Sequence, residues 1–355
     1  MQDIFDVQDE ITLAVVDALK VKLFGAEKAA VLKRYTNNAE AYQLYLRGRF
    51  FFSERTPEGF RKAIEYFEQA IQLDSEYALA FSGLADCHTF LGFYELMAPS
   101  EAVKNVRAAA FKALELDDTL AETRTSFAIY KGMYEWNFPG SREEYKEDIK
   151  LNPKYAFAYH LHSATLIVLG LNDAAIEAER CATELEPFTA IFNASLGWWY
   201  YLSHRYDEAV EQSLRTIEIA PNHFFAHWVL GITYGQKAQY EEAITELQKA
   251  ATLTGGSQHI RGDLGRIYAE MGRRDEARKL LDELMEQAKE HYVSAANIAK
   301  IYVGLGESER VFEYLEKACE ERSVKLPWFI IDPALDNLRA DPRFQDILRR
   351  VGLPQ

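Results

Sequence analysis

Histidines come first among the residues that could carry chemistry. His223 and His227 stand four apart, so on a helix they share a face at a spacing compatible with a metal ion. Neither an acidic residue nor a cysteine completes that set locally, and no HExxH occurs. His160 and His162 are two apart and point different ways on a helix. Cys87, Cys181 and Cys319 lie far apart inside apolar helical patterns, as buried small hydrophobes in a reducing compartment do. The paired carboxylates Glu143-Glu144 and Glu241-Glu242 fall at helix starts, where acids stabilise the N-terminal dipole. No serine elbow, phosphate loop or dinucleotide fingerprint is present. These patterns imply no catalytic residue, no bound metal and no cofactor.

The chemistry left is recognition. Phe157, His160, Trp198, Tyr201, Phe225 and Trp228 form an aromatic series, followed by the cations Arg266 and Lys300. Aromatic and arginine side chains dominate the energetics of protein interfaces. Their placement depends on a period of 34 residues, with units starting at Ala156, Ala190, Phe224, Gln258 and Tyr292. Position 20 of these units reads Ala175, Ala209, Ala243, Ala277 and Val311, and position 8 reads Ser163, Gly197, Gly231, Gly265 and Ala299. Small side chains in both columns let two helices cross closely. Position 11 holds Leu166, Tyr200, Tyr234, Tyr268 and Tyr302, filling the space beside the first helix. Gly170, Gly272 and Gly306 near position 15 suit a left-handed turn between the helices. Positions 2, 5, 9 and 12 of the first helix line the inner wall of such an array. There the eight residues of the recognition series sit, aromatic in the middle and basic at the far end.

The segments LGWWY, LGITY and LGRIY, with YDEA, YEEA and RDEA after them, resemble the tetratricopeptide repeat family. That resemblance implies an all-α, right-handed superhelical solenoid of helix-turn-helix units. It also implies a protein or peptide partner in a concave groove. The tryptophan usual at position 4 is replaced throughout, by Tyr159, Asn193, His227, Arg261 and Ala295. No unit carries the Lys and Asn pair with which some members clamp a terminal carboxylate. Three less regular units precede residue 156, giving about eight over residues 36–325. The third is the least regular, with Ser141 and Asp148 in columns that usually hold alanine, and an insertion falls around Tyr94–Ser100.

Outside the repeats, residues 1–35 form one apolar helical face through Ile4, Val7, Ile11, Val15 and Ala18. DIFDVQDEITLAVVDAL resembles the end of the TolB-like domain, and DPRFQDILRRVGLP the usual end of TolB-like/tetratricopeptide signalling proteins. By that resemblance the chain is the carboxyl-terminal arm of a bacterial regulator whose output domain lies elsewhere. Residues 326–355 are expected to cap the solenoid, with Asp332-Pro333 and Asp341-Pro342 opening helices. The formal charge of −15 disfavours nucleic acid. The acidic N-terminus is unlike a signal peptide, and no apolar run is long enough to span a bilayer. The expectation is a cytoplasmic scaffold, monomeric or homo-oligomeric. Its wall is either open to a partner or buried by tight winding or by the returning C-terminal segment.

Overall fold

The computed structural model describes residues 35–354; the expected N-terminal helical segment lies outside them up to residue 34. Among the described residues, sixteen helices form eight antiparallel pairs. The first three pairs are α1 (Ala39–Ser53) with α2 (Pro57–Leu73), α3 (Ala78–Phe93) with α4 (Pro99–Leu116), and α5 (Ala121–Ile129) with α6 (Phe138–Leu151). The regular region follows as α7 (Ala156–Val168) with α8 (Asn172–Leu185), α9 (Ala190–Leu202) with α10 (Tyr206–Ile219), and α11 (Phe224–Gln236) with α12 (Tyr240–Leu253). It closes with α13 (Gln258–Glu270) and α14 (Arg274–Gln287), then α15 (Ala295–Leu305) and α16 (Ser308–Glu320). After the pairs come α17 (Leu326–Ile330), a 3₁₀ turn (Pro333–Leu338) and α18 (Pro342–Val351).

Helix pairing follows the small-residue columns. A methyl group on Gly231 would stand 2.7 Å from the Leu247 side chain of the same unit, and one on Gly265 the same distance from Ile301 on the first helix of the next. Ala175, Ala209, Ala243 and Ala277 are fully buried at the facing positions. The turn between the two helices of a unit places one residue in the left-handed region at a constant spacing: Gly170, His204, Ala238, Gly272 and Gly306. Only three of these are glycine, so His204 and Ala238 carry a steric cost that the repeat imposes. In the first three units the left-handed residues are Arg55, Glu95 and Trp136, whose side chains enter the interior. The third unit departs furthest, α5 running into a π-helical turn at Tyr130–Tyr134.

The solenoid winds tightly enough to meet itself. The Tyr94 ring lies 5.9 Å from Phe224, and Asn297 donates to Oε2 of Glu95 at 2.7 Å, joining residues 202 apart in sequence. The insertion after α3 thus closes the inside of the curve. Arg322, also left-handed at φ 49°, donates to the Tyr134 carbonyl and stacks over Trp136 at 4.4 Å.

Asp148 replaces the usual alanine and is fully buried in α6. Its Oδ2 accepts from the Thr125 hydroxyl at 3.0 Å, while Oδ1 has no partner. Burial pushes its pKa from the ordinary 3.8 up to about 8. The folded state therefore holds a proton that the unfolded chain loses between those values, and stability falls as pH rises across that window. Asp148→Ala should raise the thermal midpoint at pH 8.5 by on the order of 5 °C and change it little at pH 4. Calorimetry at the two pH values checks this; a gain equal at both would refute a buried neutral carboxyl.

Candidate partner-binding wall

The inner wall is built by the first helix of each unit. All eight residues expected on it are buried, none more than 7% exposed. Phe157 packs edge-on to Phe52 at 6.3 Å. Trp198 stacks on Trp199 at 4.9 Å and meets Phe225 and Trp228 at 5.5 and 5.2 Å. One set of rings therefore joins α9 to α11, while Phe157 on α7 packs with the rings of α1 and α3.

His160 does not face a groove. Its Nδ1 lies 2.9 Å from Oε1 of the fully buried Glu179. The other oxygen of Glu179 takes the Ser163 hydroxyl and, at 3.2 Å, the Trp199 indole N–H. Serine, histidine and an acid thus meet here, but the hydroxyl is bonded to the carboxylate rather than to the imidazole. That order cannot activate a nucleophile, because the base must receive the hydroxyl proton. The cluster locks α7 to α8 and α9.

The basic end of the wall is neutralised from within. Asp263 accepts from the Trp228 indole at 2.7 Å and from the Lys300 ammonium at 2.9 Å. Lys300 also donates to Nδ1 of His259 at 3.1 Å, which requires an uncharged imidazole. Burial first, and Lys300 second, hold the His259 pKa well below its ordinary value. Arg266 pairs with Glu270 at 2.8 Å. The sequence reading picked out neither acid: the role of Asp263 depends on the helices alongside it, whereas Glu270 stands one turn after Arg266 on the same helix, a spacing that could have marked it. His223 and His227 ligate nothing jointly: His227 spans Glu246 and the Pro221 carbonyl. No group of three or more His, Cys, Asp or Glu side chains suits a metal among the described residues.

What covers the wall is the chain itself. Rather than only capping the last unit, residues 326–338 turn back into the interior. The Trp328 ring stands perpendicular to Phe93 at 5.8 Å and borders Trp198 and Phe225. The Tyr201 hydroxyl donates to Oδ1 of Asp332 at 2.7 Å across 131 residues of sequence. Burial raises the Asp332 pKa, with Arg266 and Tyr201 opposing it. Lys300 lies 5.8 Å over the Phe329 ring. α18 then packs on α16 and covers the open end.

Residues 236–309 match the model of the tetratricopeptide repeat family. Along nearly its whole length the chain is similar in fold to a chain of the APC/C hetero-tetramer Cut9-Hcn1. The TM-score is 0.57 at 15% identity, over 98% of this chain and 59% of that one. The type IV pilus biogenesis factor PilW aligns over 64% of this chain and 98% of its own, with TM-score 0.45 and 18% identity. Transcriptional regulator HilA of Salmonella typhimurium is 20% identical over 174 residues, 49% of this chain. The chain spans 31% of the length of that relative. The fold is an all-α solenoid of stacked helix-turn-helix units, and the family match lies within residues 236–309.

The Asp263–Lys300 pair is testable on its own. Asp263→Ala strands a buried ammonium and an indole N–H, at a cost of about 3–5 kcal/mol. The double change Asp263→Leu/Lys300→Met should recover most of that loss. Urea titrations of the three proteins measure it; a double variant as unstable as Asp263→Ala would show that the pair is not the source.

Proposed function

We propose that this chain is a protein-interaction scaffold that takes a peptide or protein partner on the concave wall. The wall comprises Phe157, His160, Trp198, Tyr201, Phe225, Trp228, Arg266 and Lys300. The observation that carries the reading is that the wall already holds a chain segment, residues 326–338, through ring packing and one polar anchor. A surface that accepts a segment of its own chain has the shape and chemistry to accept another. His160 and Phe157 support the rings behind this surface, and Trp198, Tyr201, Phe225 and Trp228 touch the occupant or border it. The absence of an activated nucleophile in the Ser163–His160–Glu179 cluster favours a scaffold over an enzyme.

A second reading deepens the first. The array is the regulatory arm of a larger cytoplasmic signalling protein, its output domain lying outside this chain. The likeness to a relative named as a transcriptional regulator, of which this chain matches only part, favours it, as does the resemblance of the N-terminal sequence to the end of a TolB-like domain.

The test compares three baits in affinity capture from a source-cell lysate. One is the chain itself, one the opened variant Trp328→Ala/Asp332→Ala, and one the outer-surface variant Phe50→Ser/Phe188→Ser, whose rings are 62% and 83% exposed. The opened variant should retain severalfold more of a protein that the chain captures weakly, and the outer variant should match the chain. Loss of capture by the outer variant, with no gain from opening, would move the binding surface off the wall.

A further inference from the structure

The segment inside the wall fits its seat incompletely. It consists of two short turns, each opened by a proline, Pro327 and Pro333. The indole N–H groups of Trp198 and Trp328 are buried without a partner. Buried donors left unpaired cost the folded state their lost hydration. Two cavities of about 20 and 40 Å³ flank the Trp328 ring and share Phe93, Trp198 and Phe225.

Two grips do the holding. One is a ring slot for Trp328 between Phe93, Trp198 and Phe225. The other is a carboxylate seat, in which Asp332 accepts from Tyr201 and feels the charge of Arg266. The two side chains lie four residues apart, one turn of chain.

We propose that the partner of this wall is a peptide segment presenting an aromatic ring and, four residues later, a carboxylate, and that residues 326–338 occupy its seat until it arrives. This rests on the reading of the wall as the binding surface. A ring slot and one donor-lined acidic seat select this pair over a basic or purely aliphatic segment, whose cation would meet Arg266 and Lys300. The unpaired Trp198 indole N–H offers an incoming segment a hydrogen bond that the resident one does not make. The seat is therefore exchangeable: the partner can gain at Trp198 a contact that the displaced segment never had.

The probe is a synthetic, fluorophore-labelled peptide of residues 324–338. Its binding to the full chain and to the full-length opened variant Trp328→Ala/Asp332→Ala is read by fluorescence anisotropy. The opened variant should bind at least tenfold more tightly than the chain. A peptide carrying Trp328→Ala or Asp332→Ala should bind it at least tenfold more weakly. A folded opened variant that ignores the peptide, or that binds the altered peptides equally, overturns the proposal. So does a dimer of the unaltered chain with exchanged C-terminal segments, which would make a second copy the occupant. Should the opened variant not fold, hydrogen exchange on the unaltered chain decides. Excess peptide should speed exchange of the 326–338 amides at least tenfold and leave α9 unchanged; no change overturns it. Failure of the peptide together with a capture gain by the opened variant would reject this partner chemistry and leave the wall reading standing.

Discussion

Close crossing of the two helices in each unit is the constraint from which the rest follows. Gly231 meets the Leu247 side chain across its own unit, and Gly265 meets that of Ile301 on the first helix of the next unit, so neither crossing has room for a larger residue. With units stacked this closely, the array winds far enough to bring Tyr94 to Phe224 and Glu95 to Asn297. A wider crossing would leave an open trough. Here the interior is narrow enough for a single chain segment to fill, and Trp328 fills it.

Narrowness also sets the electrostatics. Charges on the inner wall have no bulk water, so each must find a partner or change protonation. Lys300 finds Asp263, Arg266 finds Glu270, and Asp332 has the Tyr201 hydroxyl. His259, held between Lys300 and the rings, gives up its charge instead. The basic end is thus electrically quiet while the C-terminal segment is in place. Removing that segment would uncover Tyr201 and the Arg266 side of the wall together, a more polar surface than the aromatic middle.

Much of this was legible in the sequence. The small-residue and tyrosine columns set the 34-residue register, and the second helices of the last five units begin 34 residues apart, at Asn172, Tyr206, Tyr240, Arg274 and Ser308. The same register placed Trp198, Phe225 and Trp228 on the inner face. It could not say what lies over that face, because a period assigns a side and carries no information about distant chain. Asp263 sits at a position with no repeating character, and its meaning comes from Trp228 and Lys300 on neighbouring units. Asp332 was readable as a helix cap, and it is one, accepting from the Ala334 amide. Its second bond, from Tyr201, exists only because the superhelix returns on itself. The left-handed turns show the same limit: glycine marks three of the five regular ones, whereas His204 and Ala238 give no local sign of theirs.

The outer charge and the inner seat pull in opposite directions. A net charge of −15 repels an acidic segment at long range, yet the seat beside Tyr201 and Arg266 receives a carboxylate. At physiological ionic strength the repulsion is screened beyond about 8 Å, so it slows the approach of an acidic peptide without governing its bound state. Once inside, the carboxylate meets a fixed hydroxyl donor and a guanidinium, which offset part of the desolvation that raises the Asp332 pKa. Affinity at this wall is therefore set by desolvated contact and by the ease with which residues 326–338 leave. Long-range attraction contributes little. The same balance excludes strongly acidic chains from the vicinity and admits a segment whose single carboxylate is flanked by apolar residues, which is how Asp332 itself is presented, between Ile331 and Pro333.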